Sequence, residues 1–283
     1  TVLGVHRDRQ VLHYQRETFV RWWARRSAGR KVGTGKKAAL FAGCLVNYQA
    51  TDVGKATVQV LEKNGVEVAL PDQSCCGMPS FDIGDTAAMV AAAERTIASL
   101  KSWVDQGYDV VIPTPSCSLM VKREYVSLVA GDEAKRVAEH TYDISEYLMK
   151  MKREGGLAMD FTQKPGRVAY QVPCHLRDQN IGFKSKELME CAGAKVEVIE
   201  KCSGHDGSWS AKVEFFPLSM KIAQKAVRMV EQAPADLVAS DCPLAGLQLD
   251  QAGAVAHAGG RSSQHPIQIV RDAYGLPRDP RAS

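Results

Sequence analysis

The chain contains two stretches in which a short apolar run leads to a cysteine: KAALFAGC at residues 37–44 and RVAYQVPC at residues 167–174. Short apolar runs bounded by glycine or proline are typical of buried β-strands. Helical periodicity follows each run, over residues 52–63 and 184–191. Strands that alternate with helices in this way predict an α/β fold built on parallel sheets.

The same alternation extends in both directions and occurs twice along the chain. In the first half we predict strands at residues 37–42, 66–70 and 109–113, and helices at residues 14–26, 52–63, 85–104, 116–130 and 143–151. In the second half we predict strands at residues 167–172, 195–199 and 235–240, and helices at residues 184–191, 216–232 and 265–273. The repetition indicates two pseudo-repeated, Rossmann-like βαβαβ units. We expect a basic arm and linker at residues 1–36, a first half at 37–155 and a second half at 156–283.

Composition excludes several classes of protein. The chain has 283 residues, of which 45% are hydrophobic, so it has enough apolar side chains for a core and is not predominantly disordered. Its longest apolar run, residues 87–93, is too short to span a bilayer, and no signal peptide is visible. We therefore expect a cytoplasmic protein, with peripheral attachment to the cytoplasmic membrane face as an alternative. Because the chain begins with Thr1, we expect a fragment or a processed form of something longer.

The charge is concentrated at the N-terminus. Residues 1–37 carry ten Lys and Arg against two acidic residues, a net charge of +8 in a chain whose total is +4. Without a helix-turn-helix, a zinc finger or a basic stripe on the body, nucleic acid is not an expected partner. We expect this arm to dock on a partner subunit or an anionic membrane surface, with packing across the body as the alternative. Tyr14, Trp22 and Trp23 fit either a core or a membrane surface.

Eight cysteines need an explanation, because reduced cysteines outside the secretory pathway are more often metal ligands or catalytic groups than disulfides. Seven of them follow predicted strands: Cys44, Cys75, Cys76 and Cys117 in the first half, and Cys174, Cys202 and Cys242 in the second. Since the carboxyl ends of parallel strands meet at one edge of a sheet, we expect two groups of thiols at equivalent places. Cys191 lies inside a predicted helix, and we expect it to belong to the core.

The cysteines and their neighbours form two related patterns: Cys44…Cys75-Cys76-Gly77…Cys117, and Pro173-Cys174-His175…Cys202-Ser203-Gly204…Asp241-Cys242. These patterns resemble the cysteine-rich CCG-domain family, which includes the B subunits of heterodisulfide reductases and the iron–sulfur subunits of glycolate oxidase. Further similarity to the C subunits of anaerobic glycerol-3-phosphate dehydrogenases lies in the arm from Leu3 to Trp22 and in Gly43–Tyr48, Cys75–Pro79 and Arg123–Tyr125. The resemblance covers nearly the whole chain.

The resemblance implies iron–sulfur clusters, with [4Fe–4S] as the expected type. Each half of the family carries five cysteines, but here Thr114 replaces one in the first half, and Ser203 and Ala245 replace two in the second. The candidate ligands are Cys44, Cys75, Cys76 and Cys117 for one centre, and Cys174, Cys202, Cys242 and His205 for the other. The family's complete sites hold noncubane clusters, and the lost cysteines leave cubane, noncubane and smaller clusters open.

The types of the ligands alone do not decide between an iron–sulfur cluster and zinc. Four thiolates, or three with an imidazole, also suit tetrahedral Zn²⁺, so zinc at one site is an alternative. The C subunits usually carry a ferredoxin-like N-terminal domain with two further clusters. No cysteine precedes Cys44, so we expect that domain to be missing from this chain.

The function that the resemblance implies is an electron-transfer subunit of an oxidoreductase, relaying electrons between a flavoprotein dehydrogenase subunit and a quinone or another acceptor. Disulfide chemistry at a cluster, as in heterodisulfide reductase, is one alternative, and a non-redox zinc-binding or assembly module is another. We expect His175 to support a ligand by hydrogen bonding. Asp206 would accept a proton if the second site performs chemistry.

Overall fold

The computed structural model describes residues 4–26 and 35–279, which form two compact units. The N-terminal unit contains residues 14–26, 35–160 and 275–279, and the C-terminal unit contains residues 4–13 and 161–274. Residues 1–3 and 27–34 of the predicted basic arm and linker lie outside the described part of the chain. Within that part, no helix combines the length and apolar character needed to cross a membrane.

The N-terminal unit is built on a parallel sheet of four strands in the order β2-β1-β3-β4. The strands are β1 (Lys37–Leu40), β2 (Glu67–Ala69), β3 (Asp109–Ile112) and β4 (Thr141–Asp143). The central residue Ala39 pairs with Ala69 on one side and Val110 on the other. Both central strands are almost wholly buried, as expected for a parallel sheet with both faces covered.

Helices surround this sheet and supply its core. They are α1 (Phe19–Arg26), α2 (Gly43–Tyr48), α3 (Thr51–Lys63), α4 (Met78–Asp82), α5 (Thr86–Val104), α6 (Pro115–Leu119), α7 (Tyr125–Leu128), α8 (Asp132–Glu139) and α9 (Ile144–Arg153). The long α5 packs Ala93, Ile97 and Leu100 into the core beside Val110. Asp85 caps α5, because its carboxylate accepts a hydrogen bond from the Ala88 N–H at 3.0 Å.

The predicted helix at residues 116–130 is not continuous. A π-helical turn, Met120–Glu124, separates α6 from α7. A π turn inserts one residue into a helix and so shifts every later side chain around the helix axis. Tyr125 follows the turn, and its hydroxyl donates to the Cys76 carbonyl at 2.7 Å. The interruption therefore accompanies a contact with the loop that carries two of the cysteines.

The C-terminal unit repeats the order of the first three strands of the N-terminal sheet and has no counterpart of β4 among the described residues. Its parallel sheet has the order β6-β5-β7, with β5 (Arg167–Gln171), β6 (Lys195–Ile199) and β7 (Leu237–Ser240). Its helices are α10 (Cys174–Asp178), α11 (Lys184–Cys191), α12 (Phe216–Gln232), α13 (Pro243–Gln251) and α14 (Pro266–Ala273). Alternate residues of β5 enter two separate cores, Ala169 with α12 on one face and Val168 with Tyr170 on the other. The predicted α/β class with parallel sheets is confirmed.

The described residues of the basic arm divide between the two units, residues 4–13 in the C-terminal unit and residues 14–26 in the N-terminal unit. Helix α1 begins at Phe19, five residues later than predicted. Trp22 of the same helix is buried, and its ring stacks on the Phe19 ring with centroids 5.5 Å apart. The Lys55 ammonium lies 5.7 Å from the Trp22 ring, whereas Tyr14 is exposed. Trp22 is therefore a core residue of the N-terminal unit. Docking of the arm on a partner or a membrane stays a prediction.

Candidate functional site

The seven cysteines predicted to be ligands all lie beyond the carboxyl ends of the parallel strands. Four of them stand at the beginning of a helix: Cys44 in α2, Cys117 in α6, Cys174 in α10 and Cys242 as the N-cap of α13. The first turn of a helix has N–H groups without intrahelical partners and a partial positive charge, and both stabilise a thiolate. The remaining three lie in the loops after β2 and β6.

In the N-terminal unit the structure brings four thiols together. The Cys44 and Cys75 sulfur atoms are 3.9 Å apart. Cys76 forms side-chain hydrogen bonds with both Cys75 and Cys117. Cys76 and Cys117 are buried, whereas Cys44 is exposed. The group thus extends from the core of the unit to its surface.

Hydrogen bonds among these thiols separate their pKa values. Donation from Cys44, then from Cys76, lowers the pKa of Cys75, and the Gly77 N–H acts in the same direction. The bond to Cys75 raises the pKa of Cys44, and the bond to Cys117, followed by the bond to Cys75, raises the pKa of Cys76. For Cys117, the hydrogen bond from Cys76 lowers the pKa. Since the thiolate is the form that binds metal, these hydrogen bonds ease ionisation at Cys75 and Cys117 and oppose it at Cys44 and Cys76.

Gln73 holds the backbone that precedes Cys44, and no spacing signal in the sequence identified it. Its Oε1 accepts the Ala42 and Gly43 N–H groups at 2.6 and 2.9 Å, and its Nε2 donates to the Leu40 carbonyl at 3.2 Å. Gly43 has a φ of +65°, and a Cβ there would lie 3.1 Å from the Cys117 sulfur. The positive φ and this close approach both disfavour a residue with a Cβ at position 43.

The C-terminal unit brings together the other three cysteines. Cys174 and Cys202 share a side-chain hydrogen bond, and the charge of Cys242 acts on Cys174. The Gly204 N–H donates to the Cys202 sulfur at 3.3 Å. The hydrogen bond from Cys174, aided by Gly204, lowers the pKa of Cys202 to about 6 against the opposing effect of burial. This group therefore also contains a thiol that ionises readily.

The buried Gln171 links the loops that carry these three cysteines, and no sequence pattern indicated this role. Its Nε2 donates to the Val172 carbonyl at 2.9 Å and to the Lys201 carbonyl at 3.1 Å. Its Oε1 accepts from the Ser240 hydroxyl at 2.9 Å, and that hydroxyl accepts the Cys242 N–H at 3.4 Å. One side chain thus sets the relative positions of all three loops.

Replacing Gln171 with leucine is expected to destabilise the C-terminal unit by about 2 kcal/mol, because it leaves buried polar groups without partners. Thermal unfolding followed by circular dichroism measures the effect. The matched control is Gln224→Leu, which removes a single bond to the Ala252 carbonyl from a half-buried position. We expect less than about 1 kcal/mol there. Equal losses in the two variants would contradict the linking role.

His205, the predicted fourth ligand, has its Nδ1 atom already engaged. The Arg9 Nη2 atom lies 3.2 Å from it and the Ser210 hydroxyl 3.3 Å from it. Burial, followed by the Arg9 charge, lowers the pKa of His205 to about 4, so the ring is neutral at pH 7. Arg9 was missed because it lies 196 residues away in the chain and carries no motif.

The other residues noted in the cysteine patterns differ in their burial. Thr114, Ser203 and Ala245, which replace family cysteines, are all buried. The charge of the exposed Asp206 opposes the lowering of the Cys202 pKa without reversing it. Cys191 is half-buried at the end of α11, away from both motifs in sequence.

The donor set fits an iron–sulfur group. Four cysteine sulfurs with N–H donors beside them are what such clusters use, and the N-terminal group supplies them. All eight cysteines are free of disulfides. Among the described residues, no group of three or more His, Cys, Asp or Glu has the arrangement expected around one metal ion.

Residues 38–122 and 168–250 each match the cysteine-rich domain family CCG, once in each unit. The chain belongs to this family. The family resemblance predicted from the cysteine patterns is thereby confirmed. The two matches contain all seven predicted cysteines.

Several curated relatives are similar over most of the chain. Lactate utilization protein A of Geobacillus thermodenitrificans is 31% identical over 255 residues, covering 85% of this chain and 98% of its own length. The protein of that name from Geobacillus kaustophilus is 32% identical over 253 residues, with the same coverage. The C subunit of the anaerobic glycerol-3-phosphate dehydrogenase of Escherichia coli is 27% identical over 275 residues, which are 96% of this chain and 67% of that relative.

A solved structure shares the fold. The crystal structure of a hypothetical protein from Helicobacter pylori superimposes with a TM-score of 0.51 at 12% sequence identity. The match covers 97% of this chain and 53% of the other. At this identity the similarity concerns the fold alone.

Proposed function

We propose that the chain is an iron–sulfur electron-transfer subunit of an oxidoreductase. The observation that carries this proposal is the group of four cysteine thiols in the N-terminal unit, in which buried Cys76 and Cys117 connect through Cys75 to exposed Cys44. A centre that reaches the protein surface can exchange electrons with a docked partner. The family membership and the relatives' names support a redox role.

Each unit is proposed to hold one centre. Cys44, Cys75, Cys76 and Cys117 would bind a [4Fe–4S] cluster, and Cys174, Cys202 and Cys242 would bind the second centre. When bound, such a cluster supplies one-electron transfer. The chain's own residues keep thiolates available through sulfur hydrogen bonds, and Gly204 directs its N–H to the Cys202 sulfur. Those donors stabilise the additional negative charge of a reduced cluster.

The proposed partners follow from one relative. The C subunit of anaerobic glycerol-3-phosphate dehydrogenase is by name one part of a larger enzyme. We infer that this chain receives electrons from a flavoprotein dehydrogenase subunit and passes them to a quinone or another carrier. Within this proposal it works in the cytoplasm or at the cytoplasmic membrane face, with the basic arm at residues 1–36 as a docking element. The halves at residues 37–155 and 156–283 are proposed as Rossmann-like units.

Metal analysis of anaerobically purified protein tests the proposal. We expect iron and acid-labile sulfide in equal amounts, with about four iron atoms for the N-terminal centre and little zinc. Absorption in the sulfide-to-iron charge-transfer region and a low-temperature electron paramagnetic resonance (EPR) signal on reduction should accompany them. A colourless protein with stoichiometric zinc would overturn the proposal. Turnover of a disulfide substrate would favour chemistry at a cluster over electron relay.

A further inference from the structure

We propose that Arg9 fixes His205 as a neutral ring with its proton on Nε2, so that His205 serves the C-terminal centre as a hydrogen-bond donor and not as a ligand. The inference rests on the proposed function, because it needs a centre at Cys174, Cys202 and Cys242. Arg9 is then a positioning residue for that centre.

The chemistry of the Arg9–His205 contact decides which nitrogen of the ring carries the proton. A guanidinium group has five N–H donors and no acceptor, so the Arg9 Nη2 atom, 3.2 Å away, must donate to His205 Nδ1. A neutral imidazole has one nitrogen with a lone pair and one with a proton. Because Nδ1 provides the lone pair here, Nε2 carries the proton. The ring has no remaining lone pair with which to bind iron.

A second set of hydrogen bonds holds Arg9 in this position. Its Nη1 atom donates to the Oε1 atom of Gln248, a fully buried residue. Gln248 in turn donates to the Ser219 hydroxyl at 3.0 Å, which donates to the Gly204 carbonyl at 2.7 Å. Arg9 is therefore tied to the Cys202–His205 loop twice, directly at His205 and through Gln248 and Ser219 at the Gly204 carbonyl. Movement of the Arg9 guanidinium away from His205 Nδ1 would also break this series of hydrogen bonds.

The backbone around Arg9 is anchored on the same loop region. The His6 N–H donates to the Ala211 carbonyl at 2.9 Å, and the Val213 N–H donates to the Gly4 carbonyl at 2.9 Å. The His6 ring also stacks on Phe216, with centroids 4.1 Å apart. These contacts belong to the C-terminal unit, so Arg9 is a fixed part of the site and not a mobile surface charge.

The Nε2–H group of His205 is available for donation. Among residues 4–26 and 35–279, the hydrogen bonds of the ring all involve Nδ1, and the side chain is half-buried. His205 lies three residues after Cys202 and directly follows Gly204, whose N–H donates to the Cys202 sulfur at 3.3 Å. A donor at this place favours the reduced, more negative state of a centre and raises its reduction potential.

Pulsed EPR on the reduced holoprotein separates the two roles of His205. A directly bound imidazole nitrogen produces a strong nitrogen coupling, whereas a hydrogen-bonded ring produces a weak one. We expect only weak coupling. Nuclear magnetic resonance of the oxidised protein labelled with ¹⁵N-histidine should show an unprotonated Nδ1 and a protonated Nε2. Strong coupling that disappears in His205→Ala would overturn the proposal.

Two pairs of variants test the donor role and Arg9 separately. His205→Gln retains an N–H donor and should keep both the iron and the midpoint potential, whereas His205→Ala should keep the iron but shift the potential lower. Without the Arg9 donor, the His205 proton should no longer be confined to Nε2, so the ¹⁵N spectrum of Arg9→Met should show partial protonation of Nδ1. The matched control is Arg7→Met, because Arg7 is an arginine of the same segment with an 85% exposed side chain, and it should change neither observable.

The outcomes also distinguish this inference from the proposed function. Loss of iron from both His205→Gln and His205→Ala would show that His205 is a ligand, which overturns the inference and leaves the proposed function standing. If the wild-type C-terminal unit contains no iron, the proposed function fails for that unit and the donor role fails with it. The ¹⁵N signals then still report whether Arg9 fixes the tautomer. An unchanged tautomer in Arg9→Met would overturn that part.

Discussion

Replacing Cys76 with serine is expected to abolish the N-terminal iron–sulfur centre and to leave the C-terminal centre in place. Cys76 is buried and bonds to both Cys75 and Cys117, so it joins Cys117 to the rest of the group. Serine offers a harder oxygen on a shorter bond, and its hydroxyl does not ionise at neutral pH. We expect the loss of about four iron atoms per chain, measured together with sulfide and the EPR spectrum.

The control for this experiment is Cys191→Ser. Cys191 lies at the end of α11, outside both thiol groups, and is only half-buried. This variant should keep all of its iron and both sets of signals. Circular dichroism should show the same secondary structure in both variants. If Cys76→Ser retains the wild-type iron content and spectrum, the assignment of the N-terminal centre is wrong.

Much of the fold was predictable because its elements are locally encoded. The second strand of the C-terminal unit is Lys195–Ile199 and the long helix after it is Phe216–Gln232, both with the predicted bounds. A buried parallel strand is a short apolar run, and an amphipathic helix has its own period. Strand β4 was missed because its three residues, Thr141–Asp143, are too few to form a pattern between two helices.

The functional site was predictable only in part, because contacts between distant residues are not encoded in a local pattern. The cysteines could be placed because each follows a strand, and topology brings the ends of parallel strands to one edge. Gln73, Gln171 and Arg9 could not be placed, because a buried hydrogen bond between distant residues leaves no spacing in the sequence. Arg9 illustrates this well: it counted only toward the charge of the arm, and the structure places its guanidinium against His205.

Replacing Gly204 with alanine is expected to disrupt the C-terminal site more than any change of a surface residue there. Gly204 has a φ of +79°, which disfavours alanine by roughly 1–2 kcal/mol. An added Cβ would also lie 2.2 Å from the Ser219 carbonyl oxygen and 3.1 Å from the Ala223 nitrogen. Both atoms belong to the backbone of α12, so relief requires the loop to move, at roughly 1–3 kcal/mol more.

Movement of that loop would carry the Gly204 N–H away from the Cys202 sulfur, to which it now donates at 3.3 Å. We therefore expect loss of the C-terminal centre as well as lower stability, by roughly 2–5 kcal/mol in all. Thermal unfolding by circular dichroism measures the stability, and EPR of the reduced protein measures the centre. The N-terminal centre should remain, because Gly204 belongs to the other unit.

The matched control, Gly182→Ala, separates backbone strain from steric overlap. Gly182 lies in the same unit with a φ of +75°, but a Cβ there would meet only the flexible end of Lys184 at 3.9 Å. Alanine at this position should be less stable by roughly 1–2 kcal/mol and should keep both centres. If the two alanine variants lose the same stability and both retain the C-terminal centre, the packing of Gly204 against α12 does not hold the Cys202 loop in place.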